Sequence, residues 1–146
     1  SRTASVTAAV ISGAATLSPV TFSGFLSFVS INSTSLASGE KMKFIRPEEE
    51  MGETVASMKR LIDLPTDRLI LFTSMGRIVE DGRQALLACI QYIEELSRRV
   101  KALEKKGLGI PEIVRELFGG EHAFAALSNG QYSTENLVRS VLKMED

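Results

Sequence analysis

Residues 81–107 read Asp-Gly-Arg-Gln-Ala-Leu-Leu-Ala-Cys-Ile-Gln-Tyr-Ile-Glu-Glu-Leu-Ser-Arg-Arg-Val-Lys-Ala-Leu-Glu-Lys-Lys-Gly. In this stretch Leu86, Cys89, Ile93, Leu96, Val100 and Leu103 recur at spacings of three and four, which is the stripe of one long amphipathic helix. Asp81 is placed to cap its start, and Gln84 stands three residues on as a capping-box partner. Gly107 supplies the stop, because a helix ending in the left-handed conformation most often does so on glycine. About 25 residues at ~1.5 Å each make a rod of roughly 37 Å. A rod of that length needs a surface to cover its stripe, either the rest of the chain or a second copy.

Working outward, the chain has 146 residues, enough for one domain with a core or for a domain with a small appendage. At 44% hydrophobic and 24% charged residues the composition is that of an ordinary soluble protein. A formal charge of −1 exerts no global pull toward nucleic acid or anionic lipid. The single cysteine excludes an internal disulfide and predicts a cytoplasmic, reducing location. Cys89 lies on the apolar stripe, where core packing is its expected role. No apolar run reaches the ~18 residues that would suggest a membrane span.

Upstream, the first 39 residues carry one charged side chain, Arg2, among Ser, Thr, Ala and Gly. Ser5 to Ser12, Pro19 to Phe22 and Phe25 to Asn32 are rich in Val, Thr, Phe and Ile, and Gly13-Ala14 and Ser23-Gly24 separate them. They are read as three strands of an antiparallel meander. Its lack of charge leaves the edges in need of cover by helices or by another chain. Residues 32–43 read as a loop. From Pro47 the period changes to helical, with Met51, Val55, Met58, Leu61 and Ile62 on one face. Glu48, Glu49 and Glu50 then suit the positive end of the helix dipole, and Lys59 and Arg60 the other. Leu64-Pro65 closes that helix, and Arg68 to Thr73 is an apolar run of strand length. The loop from Thr73 to Asp81 lies between this strand and the long helix, a place where layered folds put ligands. Its functional side chains are Thr73, Ser74, Arg77, Glu80 and Asp81.

Downstream of Gly107, Ile110-Pro111 opens a helix to Phe118, with Ile113, Val114, Leu117 and Phe118 as its apolar face. Gly119-Gly120 ends it. Residues 122–128 add a turn or two, and Ser133 or Thr134 caps a last helix carrying Leu137, Val138, Val141 and Leu142. The expected architecture is α+β: N-terminal antiparallel strands, one further strand, the long amphipathic helix and a small helical module. The expected domains are 1–106, a partial layered domain, and 107–146, a winged-helix-like module.

Chemistry is sparse. His122 and Cys89 are the only histidine and cysteine, on different predicted helices, so a self-contained zinc site is not expected. No Gly-x-Ser-x-Gly elbow, dinucleotide fingerprint or phosphate-binding loop is present. No catalytic, cofactor-binding or metal-ligating residue is therefore assigned. Arg98, Arg99, Lys101, Lys105 and Lys106 crowd the end of the long helix. They complement the negative helix end and follow Glu94 and Glu95 by four residues, so they are read as a solvated face. No aromatic side chain interleaves with them, which argues against nucleic acid as a partner.

Leu69-Ile70-Leu71, the loop Met75-Gly76-Arg77-Ile78-Val79 and the helix start Glu80-Asp81-Gly82-Arg83 resemble the last strand, loop and helix of metallo-β-lactamase-fold hydrolases. Residues 106–118 (Lys-Gly-Leu-Gly-Ile-Pro-Glu-Ile-Val-Arg-Glu-Leu-Phe) are similar to the helical, winged-helix-like appendage of one branch of that family. Arg46-Pro47-Glu48-Glu49 through Leu61 resembles the helix before the last strand, and Phe22-Ser23-Gly24 the strand that ordinarily ends in Gly-Asp. The family's His-x-His-x-Asp-His motif has no counterpart here. Phe25 stands where its aspartate follows the glycine, and Met75 where its histidine precedes Gly76.

What the resemblance implies is the C-terminal half of such a hydrolase, as a fragment or a diverged relative. It would not be catalytic on its own and would work through self-association, across the apolar sheet or the long helix, or with a partner. Two alternatives stand beside it: a metal-dependent hydrolase of esters, thioesters or lactones with ligands from elsewhere, for which zinc would be expected, and a nucleic-acid-binding helical module.

Overall fold

The computed structural model describes residues 6–12, 28–32, 42–43, 45–73, 76–121 and 123–145. The fold is α+β. Strands β1 (Val6–Ser12) and β2 (Phe28–Asn32) precede helix α1 (Met51–Ile62), and β3 (Arg68–Thr73) and β4 (Ile78–Val79) follow it. Then come the long helix α2 (Gly82–Lys105) and three short ones, α3 (Ile110–Phe118), α4 (Ala123–Leu127) and α5 (Thr134–Leu142).

The four strands form one sheet in the order β2-β1-β3-β4. This corrects the expected antiparallel meander, because β1 runs parallel to both β2 and β3, and only β3 and β4 are antiparallel. Parallel neighbours cannot be joined by a tight turn and need a crossover of a dozen or more residues. Residues 13–27 supply that length between β1 and β2. The expected strand Pro19 to Phe22, and residues 25–27 of the third, lie outside the described residues.

The chain divides into two compact units: Ser1–Lys41 with Thr54–Ile90, and Met42–Glu53 with Gln91–Asp146. The expected boundary after residue 106 falls inside the second, since the later turns of α2 cluster with the C-terminal helices.

In the first unit, β3 alternates. Leu69, Leu71 and Thr73 are buried while Arg68 and Phe72 are exposed, which is a sheet strand with one covered face. Val55, Met58 and Leu61 of α1 and Leu86 and Ile90 of α2 complete the core of this unit. The second unit buries Met42, Ile45 and Met51 together with Ile93, Leu96 and Val100 of α2, Ile113 and Val114 of α3 and Leu137, Val138 and Val141 of α5.

Helix α2 has 24 residues, as its periodicity predicts. Asp81 accepts the Gln84 N–H at 3.2 Å. At the far end Gly107 has φ 93°, its N–H donates to Glu104 O and Leu108 N–H donates to Leu103 O. That pair of bonds is a Schellman stop, which needs the left-handed backbone that glycine adopts freely. The buried stripe runs through Leu86, Ile90, Ile93, Leu96 and Val100, so Ile90 takes the place expected for Cys89, which is half-buried, as is Leu103.

Helix α1 starts at Met51, later than Pro47 predicts, and Pro47 sits in a turn instead. Consequently Glu48 to Glu50 precede the helix, and Glu49 is buried.

Candidate functional site

The connection between β3 and α2 carries the polar side chains Thr73, Arg77, Glu80 and Asp81. The turn closes on itself: Thr73 N–H donates to Arg77 O at 2.9 Å, and Thr73 Oγ1 accepts the Arg77 N–H at 2.9 Å. Gly76 N–H adds a bond to Thr73 O at 3.1 Å. Ser74 and Met75 lie outside the described residues.

Beyond β4, Glu80 stands 3.7 Å from Arg68 in an exposed ion pair, and Asp81 caps α2. Gly82 is packed so closely on β3 that a Cβ there would lie 2.6 Å from Leu69 O, which fixes the approach of the helix to the strand. Next to it, Arg83 reaches back to the loop that leaves α1. Its Nε donates to Ile62 O at 3.1 Å, and Nη2 donates to Leu64 O at 2.9 Å and Thr66 O at 2.6 Å. One guanidinium thus satisfies three carbonyls at a helix end, where such acceptors are otherwise left without helical partners.

Asp67, Arg68, Leu69, Glu80, Asp81 and Arg83 line an open surface cavity of about 320 Å³. Its charges are largely committed. Arg83 holds the loop, Asp81 the helix start, and Arg68 and Glu80 each other. No signal in the sequence pointed to Arg83, because its acceptors are backbone carbonyls about twenty residues earlier.

Among the described residues no three His, Cys, Asp or Glu side chains converge as metal ligands. At the two positions where the expected resemblance would place metal ligands the sequence has Phe25 and Met75, and neither a phenyl ring nor a thioether replaces carboxylate or imidazole for zinc. Those two residues and His122 lie outside the described residues, and Cys89 is a half-buried thiol on α2.

The basic cluster at the end of α2 is partly used internally. Arg98 pairs with Glu95 three residues before it, where the expected pairing was at four. The Glu95 carboxylate raises the Arg98 guanidinium further above its already high range, first through their hydrogen bond. Lys101 Nζ donates to Met144 O. Arg99, Lys105 and Lys106 are exposed.

Comparison with known proteins returns no matching family model, no matching curated protein and no matching solved structure. Among the described residues no helix is long and apolar enough to cross a membrane.

Proposed function

We propose that this chain is a diverged relative of the metallo-β-lactamase-fold hydrolases that performs no catalysis by itself and acts in the cytoplasm through self-association. The order strand β3, connection, long helix and short helices supports the relationship, since the resemblance implies a strand, a loop, a long helix and a helical appendage; the short strand β4 (Ile78–Val79) lies within the stretch expected as loop. The ligand positions occupied by Phe25 and Met75 support the loss of chemistry.

One observation carries the mode of action. The stripe of α2 is buried within the chain, so it offers no contact surface, whereas Phe72 and Ile78 form an exposed cross-strand pair, 40% and 60% accessible. Among the described residues β4 is the last strand in the order β2-β1-β3-β4. An outer strand bearing exposed apolar side chains is a surface that proteins ordinarily cover or blunt with charge. A second copy covers it here, which gives a symmetric dimer of the commonest kind.

Analytical ultracentrifugation across micromolar concentrations tests this. A concentration-dependent dimer is expected, and Ile78→Lys should make it monomeric and cooperatively folded, with a melting temperature that no longer depends on protein concentration. A wild-type chain that stays monomeric throughout would sink the proposal. Elemental analysis of protein purified without chelators tests the lack of catalysis. One or two equivalents of zinc would favour instead a metal-dependent hydrolase whose ligands come from another chain.

A further inference from the structure

Glu49 is a buried carboxylate with few polar partners among the described residues. Its residue is 6% exposed, and among the described residues its side chain accepts one hydrogen bond, from Arg46 N–H, at the long distance of 3.5 Å. Its nearest cation is engaged elsewhere: the Arg46 guanidinium pairs with Glu48 at 2.6 Å and lies 5.9 Å from the centre of the Tyr132 ring. The charged groups acting on Glu49 are Arg46 and Glu48, both from its own segment. From α5 this segment meets neutral side chains, Asn136 and Ser140, and the Arg139–Glu135 pair on that helix is matched within itself.

Glu49 sits in a segment that is tied to the C-terminal helices along its length. Tyr92 OH donates to Met42 O at 2.6 Å, and Ile45 and Ser133 exchange backbone hydrogen bonds at 3.2 Å. Asn136 Nδ2 donates to Ile45 O at 3.1 Å. Ser140 Oγ donates to Glu49 O at 3.2 Å and accepts the Met51 N–H at 2.8 Å.

We propose that Met42–Met51 is a pH-sensitive strap on the helical unit, held most firmly when Glu49 is neutral. Burial raises the Glu49 carboxyl above the usual glutamate range, and Arg46 offsets this only in part. A carboxyl whose folded pKa lies above its unfolded one binds its proton more tightly in the fold. Docking is therefore favoured at acid pH, and it weakens as pH rises from the unfolded glutamate range through the folded value.

The test is amide exchange at Ile45 and Met51, corrected for intrinsic rates, from pH 4 to 7.5 on the full chain. Wild-type protection should fall as pH rises, by about tenfold for each unit between the two pKa values. In Glu49→Gln it should be flat. A Glu49→Gln slope equal to the wild-type slope would overturn the proposal. Titration of the Glu49 carboxyl by carbon NMR in the unsubstituted chain decides the matter even if the variant fails to fold. A midpoint above the glutamate range supports the strap, and one at or below it removes it.

Discussion

The two longest helices among the described residues begin on opposite principles. Helix α2 is started by Asp81, which takes the Gln84 N–H three residues on, and a reader of the sequence sees the cap beside the helix it serves. Helix α1 is started by Ser140, which takes the Met51 N–H from 89 residues away. A local cap forms when a short piece of chain bends, whereas a remote one forms only when the helical unit is already assembled. The start of α1 therefore reports on tertiary packing, and the start of α2 reports mainly on its own neighbours. The strap before α1 extends the same contrast, since it too is fixed by residues far along the chain.

The change that should break the strap most completely is Ile45→Asp. Ile45 is 1% exposed, so the new carboxylate would be buried without a cation and would cost roughly 3–5 kcal/mol. Urea denaturation should show the loss as a fall in midpoint at constant slope. A cost below ~1 kcal/mol would mean that the strap is loosely held and that α1 starts without it.

On the α2 side the sharpest test is Gly82→Ala. Its Cβ would meet Leu69 O at 2.6 Å, a backbone atom that cannot swing aside, so the helix start must shift at about 1–3 kcal/mol. Gly109→Ala is the control. Its nearest neighbours lie at 3.8 and 3.9 Å, and φ is −79°, so the change should stay within ~0.5 kcal/mol. Equal effects at the two glycines would show that the start of α2 is not set by close packing on β3.

The same distinction explains how much could be read in advance. The strand Arg68–Thr73, the span of α2 and the helices at 110–118 and 134–142 were legible because apolar period and caps lie within each segment. The parallel pairing of Val6 with Arg68 was not, because register between distant strands leaves no trace at either one. Ile90 displaced Cys89 from the core since spacings of three and four allow either residue, and packing chose. At the candidate site, Asp81 was legible as a cap. Arg83 was not, as its three acceptors are carbonyls that every residue possesses. In sequence Glu49 reads as a dipole-matching surface acid, because Pro47 has the pattern of a first helical residue. The burial of Glu49 depends on the strap, which no local pattern announces.

Ser140→Ala and Asp81→Ala compare the two caps directly. Each removes one side-chain acceptor from a helix start, which alone costs ~1 kcal/mol. Ser140 also donates to Glu49 O, so its loss leaves a second group in the strap unpaired and should cost somewhat more, about 1–2 kcal/mol. The readouts should differ in place as well as size. Ser140→Ala is expected to raise amide exchange at Met51 and through Ile45, far away in sequence, whereas Asp81→Ala should raise it only in the first turn of α2. Exchange spreading from Asp81→Ala as widely as from Ser140→Ala would mean that both starts belong to one cooperative unit, and the contrast between local and remote capping would then describe geometry without describing stability.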